Sequence, residues 1–148
     1  MAALRFKLAV TQSGQLAPPV LSPAQRLELG QVMVDTQKAR WAKGINAAGQ
    51  PAAPLHKTTA KAKRTFGRRP IRDMEMTGLV RQNFSLRKAS EVELRAENTT
   101  VEARRHARQA QLFEKMIGWA PQDETIFFAH AYRAYSVYLK RAWRPTRG

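Results

Sequence analysis

The sequence predicts an α+β fold, a small antiparallel, hairpin-centred sheet flanked by helices, with a long basic arm. Two stretches near the middle of the chain alternate apolar and polar residues, which is typical of strands with one buried face. Apolar residues at helical spacing, preceded by capping residues, lie on both sides of these stretches. Between the first helix and the hairpin, a basic stretch without apolar periodicity predicts the arm.

The composition limits both the core and the chemistry of the chain. Its 148 residues carry 26 Lys and Arg against 11 Asp and Glu, a net charge of +15 that favours an anionic partner. A hydrophobic content of 43%, much of it alanine, allows one modest core and one structural domain. The absence of cysteine excludes disulfides and thiolate catalysis. No secretory signal and no apolar run of roughly 20 residues is visible, so no membrane partner is expected.

Residues 1–43 are expected to form a short strand, a loop and the first helix. The strand is predicted over Arg5–Val10, and the Gly- and Pro-containing stretch after it is predicted to be a loop. Ser22 suits a helix N-cap, Pro23 suits the first turn, and Gln25 completes the spacing of a capping box. Gly44 is expected to end this helix.

Residues 44–73 form the predicted basic arm. No acidic residue and ten basic ones lie between Thr36 and Arg72, and glycines and prolines interrupt the segment. We interpret it as extended chain that a partner holds in place, because it lacks a core of its own. The alternative is a solvated loop that only aids solubility. Asp73 and Glu75 follow directly and are interpreted as neutralising salt partners rather than as a catalytic pair.

Contacts to the DNA backbone or to a partner protein are predicted for the cations of the arm and of the C-terminal tail. About six phosphate contacts would give a log-log salt slope near −5, at roughly −0.9 per contact. The predicted contact residues are Lys57, Lys61, Lys63, Arg64, Arg68, Arg69, Arg72, Arg141, Arg144 and Arg147.

Residues 74–128 are expected to hold the hairpin and a second helix. Apolar parity predicts one strand over residues 80–86 and another over residues 92–97, joined through Lys88–Ser90. This pairing would place Arg87 and Lys88 near Glu91 and Glu93. The helix is expected to start at Thr99, with Glu102 three residues on, and to stop at Gly118 and Pro121. The predicted core residues are Leu27, Val34, Phe84, Leu86, Val92, Leu94 and Phe113.

Residues 129–148 are expected to form an aromatic and basic C-terminal helix and tail, within a final helix that runs over residues 123–143. Its acidic start and basic end match the helix dipole. Aromatic side chains at helical spacing usually face a neighbouring element, so a subunit interface is predicted for Tyr132, Tyr135, Tyr138 and Trp143. Because Arg133, Lys140 and Arg141 interleave with the tyrosines, stacking on nucleic-acid bases is the alternative.

The sequence offers little for catalysis. His56, His106 and His130 lie in separate segments without the short spacings of metal ligands, so no metal site is expected. No Gly-rich phosphate loop is present, and no cofactor is expected. An enzyme would need a pocket with a displaced pKa among His106, Glu102 and Asp123. We therefore expect a protein that is not an enzyme.

Several short motifs occur in an order that resembles a known family. Gly49-Gln50-Pro51 is followed by Pro54-Leu55, Lys61 and a basic run, then by Pro70-Ile71. Thr77-Gly78-Leu79-Val80-Arg81 and, later, Met116-Ile117-Gly118-Trp119 with Pro121 and Asp123 complete the series. This order, from about Gly44 to Phe128, resembles the tailed-phage virion morphogenesis proteins of the Mu-like kind, which are structural proteins of the neck and tail-completion region.

The resemblance implies a non-enzymatic subunit that forms a ring and helps to join head and tail. The implied partners are copies of itself, the portal, neck or tail proteins and, as an open alternative, the DNA backbone in a channel. The implied location is the virion, after assembly in the host cytoplasm. A ribosomal protein or another nucleic-acid-binding component of a ribonucleoprotein is the second reading, because basic arms are common there. Oligomeric state after nuclease treatment distinguishes the two.

Overall fold

The structure is a computed structural model that describes residues 3–7, 21–74, 78–91 and 93–142. Five helices and a three-stranded antiparallel sheet confirm the predicted α+β class. Their bounds are β1 Leu4–Lys7, α1 Pro23–Ala42, α2 Lys57–Thr65, α3 Leu79–Asn83, β2 Phe84–Ala89, β3 Glu93–Asn98, α4 Val101–Phe113 and α5 Pro121–Ala142.

The sheet has the order β1-β3-β2, so the predicted hairpin supplies its centre and one edge. Antiparallel pairing of β2 with β3 confirms the hairpin, and β1 adds to the free side of β3. Two predicted bounds of the hairpin were wrong. Residues 80–83 lie in helix α3 rather than in a strand, and Lys88 and Ala89 belong to β2 rather than to the turn. Strand β1 begins one residue earlier than predicted, at Leu4, and is described as far as Lys7; residues 8–20, with the loop predicted there, lie outside the described residues.

Helix α3 forms where the alternation of apolar residues predicts a strand because tertiary contacts hold its short turn. Gly78, with φ +81°, is its N-cap, in a conformation that disfavours side chains with a Cβ. The side-chain amide of Asn83 donates to the Leu79 carbonyl at 2.9 Å. Asn98 of β3 donates to the carbonyl of Val80 at 2.6 Å, so the sheet secures this turn.

Helix α1 begins as predicted. The Ser22 side chain accepts from the Gln25 backbone N–H at 3.2 Å, and the Gln25 side chain accepts from the Ser22 N–H at 2.9 Å, which completes the capping box. Gly44, with φ +67°, follows the C-cap residue and donates to the carbonyl of Trp41 at 2.8 Å.

The core lies between α1, α5 and one face of the sheet. Trp41 and Phe84 meet edge to face at 5.0 Å between ring centroids, and Phe127 of α5 meets Trp119 at 5.1 Å. Of the predicted core residues, Val34, Phe84 and Leu94 are buried and Leu86 is partly buried. Leu27 was predicted wrongly, because it is 57% exposed. Val92 and the Phe113 side chain lie outside the described part.

Two helix starts differ from the sequence predictions. The N-cap of α4 is Thr100 rather than Thr99, and its hydroxyl accepts from the Ala103 N–H at 3.1 Å. Helix α5 begins at Pro121, and the carboxylate of Asp123 accepts from the Ala120 N–H at 3.2 Å. Among the described residues, no helix combines the length and apolar content that crossing a bilayer requires.

Candidate nucleic-acid interface

The first part of the basic arm packs on its own chain. Residues 44–53 form a tight loop, in which Ala52 donates to the Gly44 carbonyl at 2.7 Å and Asn46 donates to Gln50 at 2.8 Å. This loop contacts the connection between α4 and α5, where the Ala47 N–H donates to the Lys115 carbonyl at 2.8 Å. The chain itself therefore positions a segment that the sequence suggested a partner would hold.

Arg40 and Asp123 anchor this docking. The guanidinium Nε of Arg40 donates to Asp123 Oδ2 at 2.7 Å, and both side chains are almost fully buried. Nη1 donates to the carbonyl of Ile45, and Nη2 donates to those of Met116 and Gly118. Burial lowers the pKa of Arg40, although the charge and hydrogen bond of Asp123 oppose the shift. Because every guanidinium nitrogen already donates, this pair has a structural role.

Glu114 secures the next part of the arm. Its carboxylate accepts from the Asn46 side chain and from the Ala53 N–H, both at 2.7 Å. Arg72, near the end of the arm, approaches the same carboxylate at 3.5 Å and donates to the carbonyl of Ala53 at 3.1 Å. Arg72 therefore lies within an internal network, although it was predicted to contact a partner.

The structure places Lys63 in the interior of the protein. It was predicted to contact DNA or a partner, but only 3% of its side chain is exposed. Its ammonium forms a buried ion pair with Asp73 and also donates to the Ile71 carbonyl at 2.7 Å. The interpretation of Asp73 as a salt partner is thereby confirmed, whereas Glu75 lies outside the described residues. The pair ties α2 to the irregular chain that follows it.

Helix α2 itself contradicts the prediction of extended chain. The sequence pattern missed it because its packed side carries Lys63 and small residues rather than a stripe of large apolar ones. Alanine and lysine favour helix, and no glycine or proline interrupts residues 57–65. His56 Nδ1 accepts from the Thr58 N–H at 3.4 Å and caps the start. The run of good helix formers could have predicted this element.

The exposed side of α2 carries three predicted contact residues in one row. Lys57, Lys61 and Arg64 are spaced i, i+4 and i+7, which places them on one helix face, and all three are exposed. Among the described residues, none of the three has a carboxylate within ion-pair distance. We call Lys57, Lys61 and Arg64 the α2 cation face. It is the part of the predicted arm that remains available to an anionic ligand.

The other predicted contact residues fall into different environments. Arg69 is exposed but its guanidinium donates to the carbonyl of Ala42, and Arg68 is half-buried near Gly78. The side chain of Arg141 lies outside the described part, as do residues 144 and 147, the predicted contacts Arg144 and Arg147.

The aromatic residues predicted to form a subunit interface also lie in different environments. Tyr132 is 76% exposed, as an interface residue in a free subunit would be. Tyr135 instead packs partly against the core, and burial raises its pKa. The Tyr138 side chain and Trp143 lie outside the described part. Phe128, one turn before Tyr132, is 54% exposed and was not among the predicted residues, although its i, i+4 spacing with Tyr132 was visible in the sequence.

The three residues considered as catalytic candidates, His106, Glu102 and Asp123, do not share one site. His106 faces Glu102 along α4, with Nε2 and Oε1 3.8 Å apart, whereas Asp123 is paired with Arg40. A cleft of about 370 Å³ between α1 and α5 is lined by Asp35, Lys43 and Gln122 together with that pair. Across the described ranges, no group of three His, Asp or Glu side chains converges as a metal site would require.

Comparison of the chain with known family models, with characterised proteins and with solved structures finds no match.

Proposed function

We propose that the chain is a structural virion protein of the phage neck or tail-completion region, which joins head and tail as an oligomeric ring. One observation carries the proposal. The motif segments of the resemblance, around Gly49-Gln50-Pro51 and around Gly118 to Asp123, dock against each other. Gln122 donates to the Gly49 carbonyl at 3.0 Å, and Arg40 binds Gly118 and Asp123 together.

This junction favours an assembly role over chemistry. Gly49 has φ +80°, a conformation that favours glycine, and a Cβ at this position would displace the end of the Gln122 side chain that binds its carbonyl. Asp123 is committed to Arg40 and to the start of α5. The motif residues thus meet structural demands, and the surfaces they position remain for contacts between proteins.

In this proposal α5 supplies the subunit contact and the α2 cation face meets an acidic neighbour or DNA. Tyr132 and Phe128 are apolar surface on the same side of α5 and would be buried between copies in a ring. A net charge of +15 opposes self-association, so ring formation needs such apolar burial and moderate salt. The portal, neck or tail proteins would be the partners on either side of the ring.

Light scattering of nuclease-treated protein, coupled to size-exclusion chromatography, tests the proposal. We expect a discrete homo-oligomer at 150–300 mM salt, on the order of a physiological ionic strength and above. Tyr132→Ser should dissociate it, whereas Leu112→Ser is the matched control, because Leu112 is 80% exposed on α4. A monomer at all salt concentrations that also fails to bind portal or tail proteins would refute the neck role.

The α2 cation face favours a second candidate, a component of a ribonucleoprotein that binds the RNA or DNA backbone. Replacing Lys57, Lys61 and Arg64 with Gln should make the log-log salt slope of binding shallower by up to about 2.7, at roughly 0.9 per lost contact. A monodisperse monomer that binds RNA tightly at low salt, with this dependence on the α2 cation face, would favour the second candidate over the first.

A further inference from the structure

Three cations lie side by side across the sheet. The register places Arg5 of β1 opposite Arg95 of β3, and Lys88 of β2 opposite the same Arg95. Neighbouring strands lie about 4.8 Å apart, so the three side chains form a row that crosses the sheet. We call Arg5, Arg95 and Lys88 the sheet cation row. None of the three residues was predicted to contact a partner.

The row is on the face of the sheet that points away from the core. Leu94 and Ala96, the neighbours of Arg95 in β3, are fully buried, and side chains alternate between faces along a strand. Arg5 and Lys88 have 60% and 45% of their side chains exposed. This face is therefore accessible to a ligand.

Like charges opposite one another destabilise a sheet, and the neighbouring carboxylates compensate for them only in part. Glu93 lies 2.9 Å from Lys88 and 4.0 Å from Arg5, and Glu97 lies 3.9 Å from Arg87. Among the described side chains of this face, four cations thus share two carboxylates.

Arg95, at the centre, is less fully compensated than its neighbours, although its charge helps to lower the pKa of Glu93. It makes no hydrogen bond or ion pair with any described residue, and its Nε is buried without an acceptor. A buried guanidinium nitrogen without an acceptor is unfavourable, so this Nε does not explain why an arginine stands at this position in the free subunit.

We propose that the sheet cation row binds the phosphate groups of a nucleic-acid backbone, with Arg95 at the centre of the site. An arginine fork suits the planar pair of oxygens that a phosphate presents, and lysine adds a point charge. The described side chains of this face include no aromatic ring on which a base could stack, so the contacts are to the backbone and independent of sequence. The strongly positive chain attracts a polyanion to this face.

This inference goes beyond the proposed function, since it concerns a surface remote in sequence from the arm. It holds for a virion subunit near DNA and for a ribonucleoprotein component alike. If the protein forms no ring, the inference about phosphate binding is unaffected. If Arg95 does not bind phosphate, the proposed ring is unaffected.

The test is fluorescence anisotropy of a labelled 20-base-pair duplex against the full-length protein, over a series of salt concentrations. Arg95→Gln should weaken binding about tenfold at low salt and make the log-log slope shallower by roughly 0.9. Arg108→Gln, which removes an exposed charge from α4, is the control and should change neither. Arg95→Lys should keep the slope and lose part of the affinity, because it keeps the charge without the fork.

A second pair of variants tests the proposal through an expected gain of affinity rather than a loss. Glu93→Gln frees Arg5 and Lys88 from their carboxylate and should tighten binding, whereas Glu124→Gln, the same charge change on exposed α5, should not. Circular dichroism and size-exclusion chromatography should show that both variants are folded and unaggregated, because an unfolded chain of charge +15 can also bind DNA. The thermal midpoint of Arg95→Gln should stay equal to that of the wild type or rise, because a repulsive charge is removed.

Unchanged affinity and slope in Arg95→Gln would overturn the proposal. So would equal effects of Glu93→Gln and Glu124→Gln. If polyglutamate competes with the duplex as well as unlabelled DNA of equal charge does, the row binds acidic protein instead, and the nucleic-acid assignment is wrong.

Discussion

Arg40 and Asp123, 83 residues apart, form a buried ion pair between α1 and the start of α5. The same guanidinium donates to carbonyls in the loops at Ile45, Met116 and Gly118. One side chain thus positions two loops and one helix start. The two loops carry the motif segments around Gly49 and Gly118, so this pair holds those segments together.

Breaking this pair should strongly destabilise the protein. Arg40→Met leaves the Asp123 carboxylate buried without its cation and three carbonyls without their donor, so we expect a loss of about 3–5 kcal/mol. Urea unfolding at pH 7 measures it, with Arg105→Met on the exposed side of α4 as the control. A loss below about 1 kcal/mol, the size of a surface pair, would contradict the buried geometry.

Replacing Lys63 should release α2 without unfolding the core. Lys63→Met removes the buried cation that pairs with Asp73 and the donor to the Ile71 carbonyl, so α2 should lose its attachment there and open locally. Limited trypsin digestion should then cleave after Lys61 and Arg64 about tenfold faster or more. Thr65→Met, an exposed substitution in the same helix, is the control. Equal digestion rates would mean that the ion pair does not hold α2.

Alanine substitutions at two glycines should distinguish the cost of backbone strain from the cost of a side-chain contact. Gly49 and Gly67 have φ angles of +80° and +67°, but a Cβ would collide with Gln122 only at Gly49, and nothing lies within 4 Å of it at Gly67. Gly67→Ala should lose about 1–2 kcal/mol from strain alone, and Gly49→Ala should lose more. Urea unfolding gives the difference, which should shrink in the Gln122→Ala background. Equal losses would show that the contact between Gln122 and Gly49 adds nothing measurable to the cost of backbone strain.

The hairpin should lose an interaction at acidic pH. The hydrogen bond from Lys88, with smaller charge effects of Arg95 and Arg5, lowers the pKa of Glu93. Since the pKa is depressed in the folded state, the stabilisation is complete above the unfolded value of about 4.3 and is lost as the pH falls through the folded value. Carboxyl NMR titration should show this pKa rising in Lys88→Met but not in Lys57→Met. If the pKa of Glu93 is equally low in both variants, Lys88 is not the cause of its lowering.

Local signals accounted for much of the fold. The capping box of Ser22 and Gln25 and the αL glycine at Gly44 depend on neighbours a few residues away, and both were predicted correctly. The alternation at residues 93–98 likewise predicted β3 and the hairpin. At Leu79–Asn83 the same alternation predicted strand, and contacts from Asn98 produced helix instead.

The candidate interface was only partly predictable. Composition identified the cations of the arm, and helical spacing would have grouped Lys57, Lys61 and Arg64. Which cations turn inward depended on partners far away, such as Glu114 for Arg72. The register that brings Arg5, Lys88 and Arg95 together is also non-local, because β1 pairs with β3 from the opposite end of the chain.

By itself, the sequence determined the class of fold, the start of helix α1, the hairpin and the excess of positive charge. These features depend on short-range geometry and on composition. The tertiary structure alone decided how that charge is distributed. Burying Arg40 and Lys63 requires carboxylates that only the folded chain brings within reach, since an unpaired buried cation is too costly. Other cations stay at the surface, either without a carboxylate in reach among the described residues, as on α2, or sharing Glu93, as Arg5 and Lys88 do on the sheet.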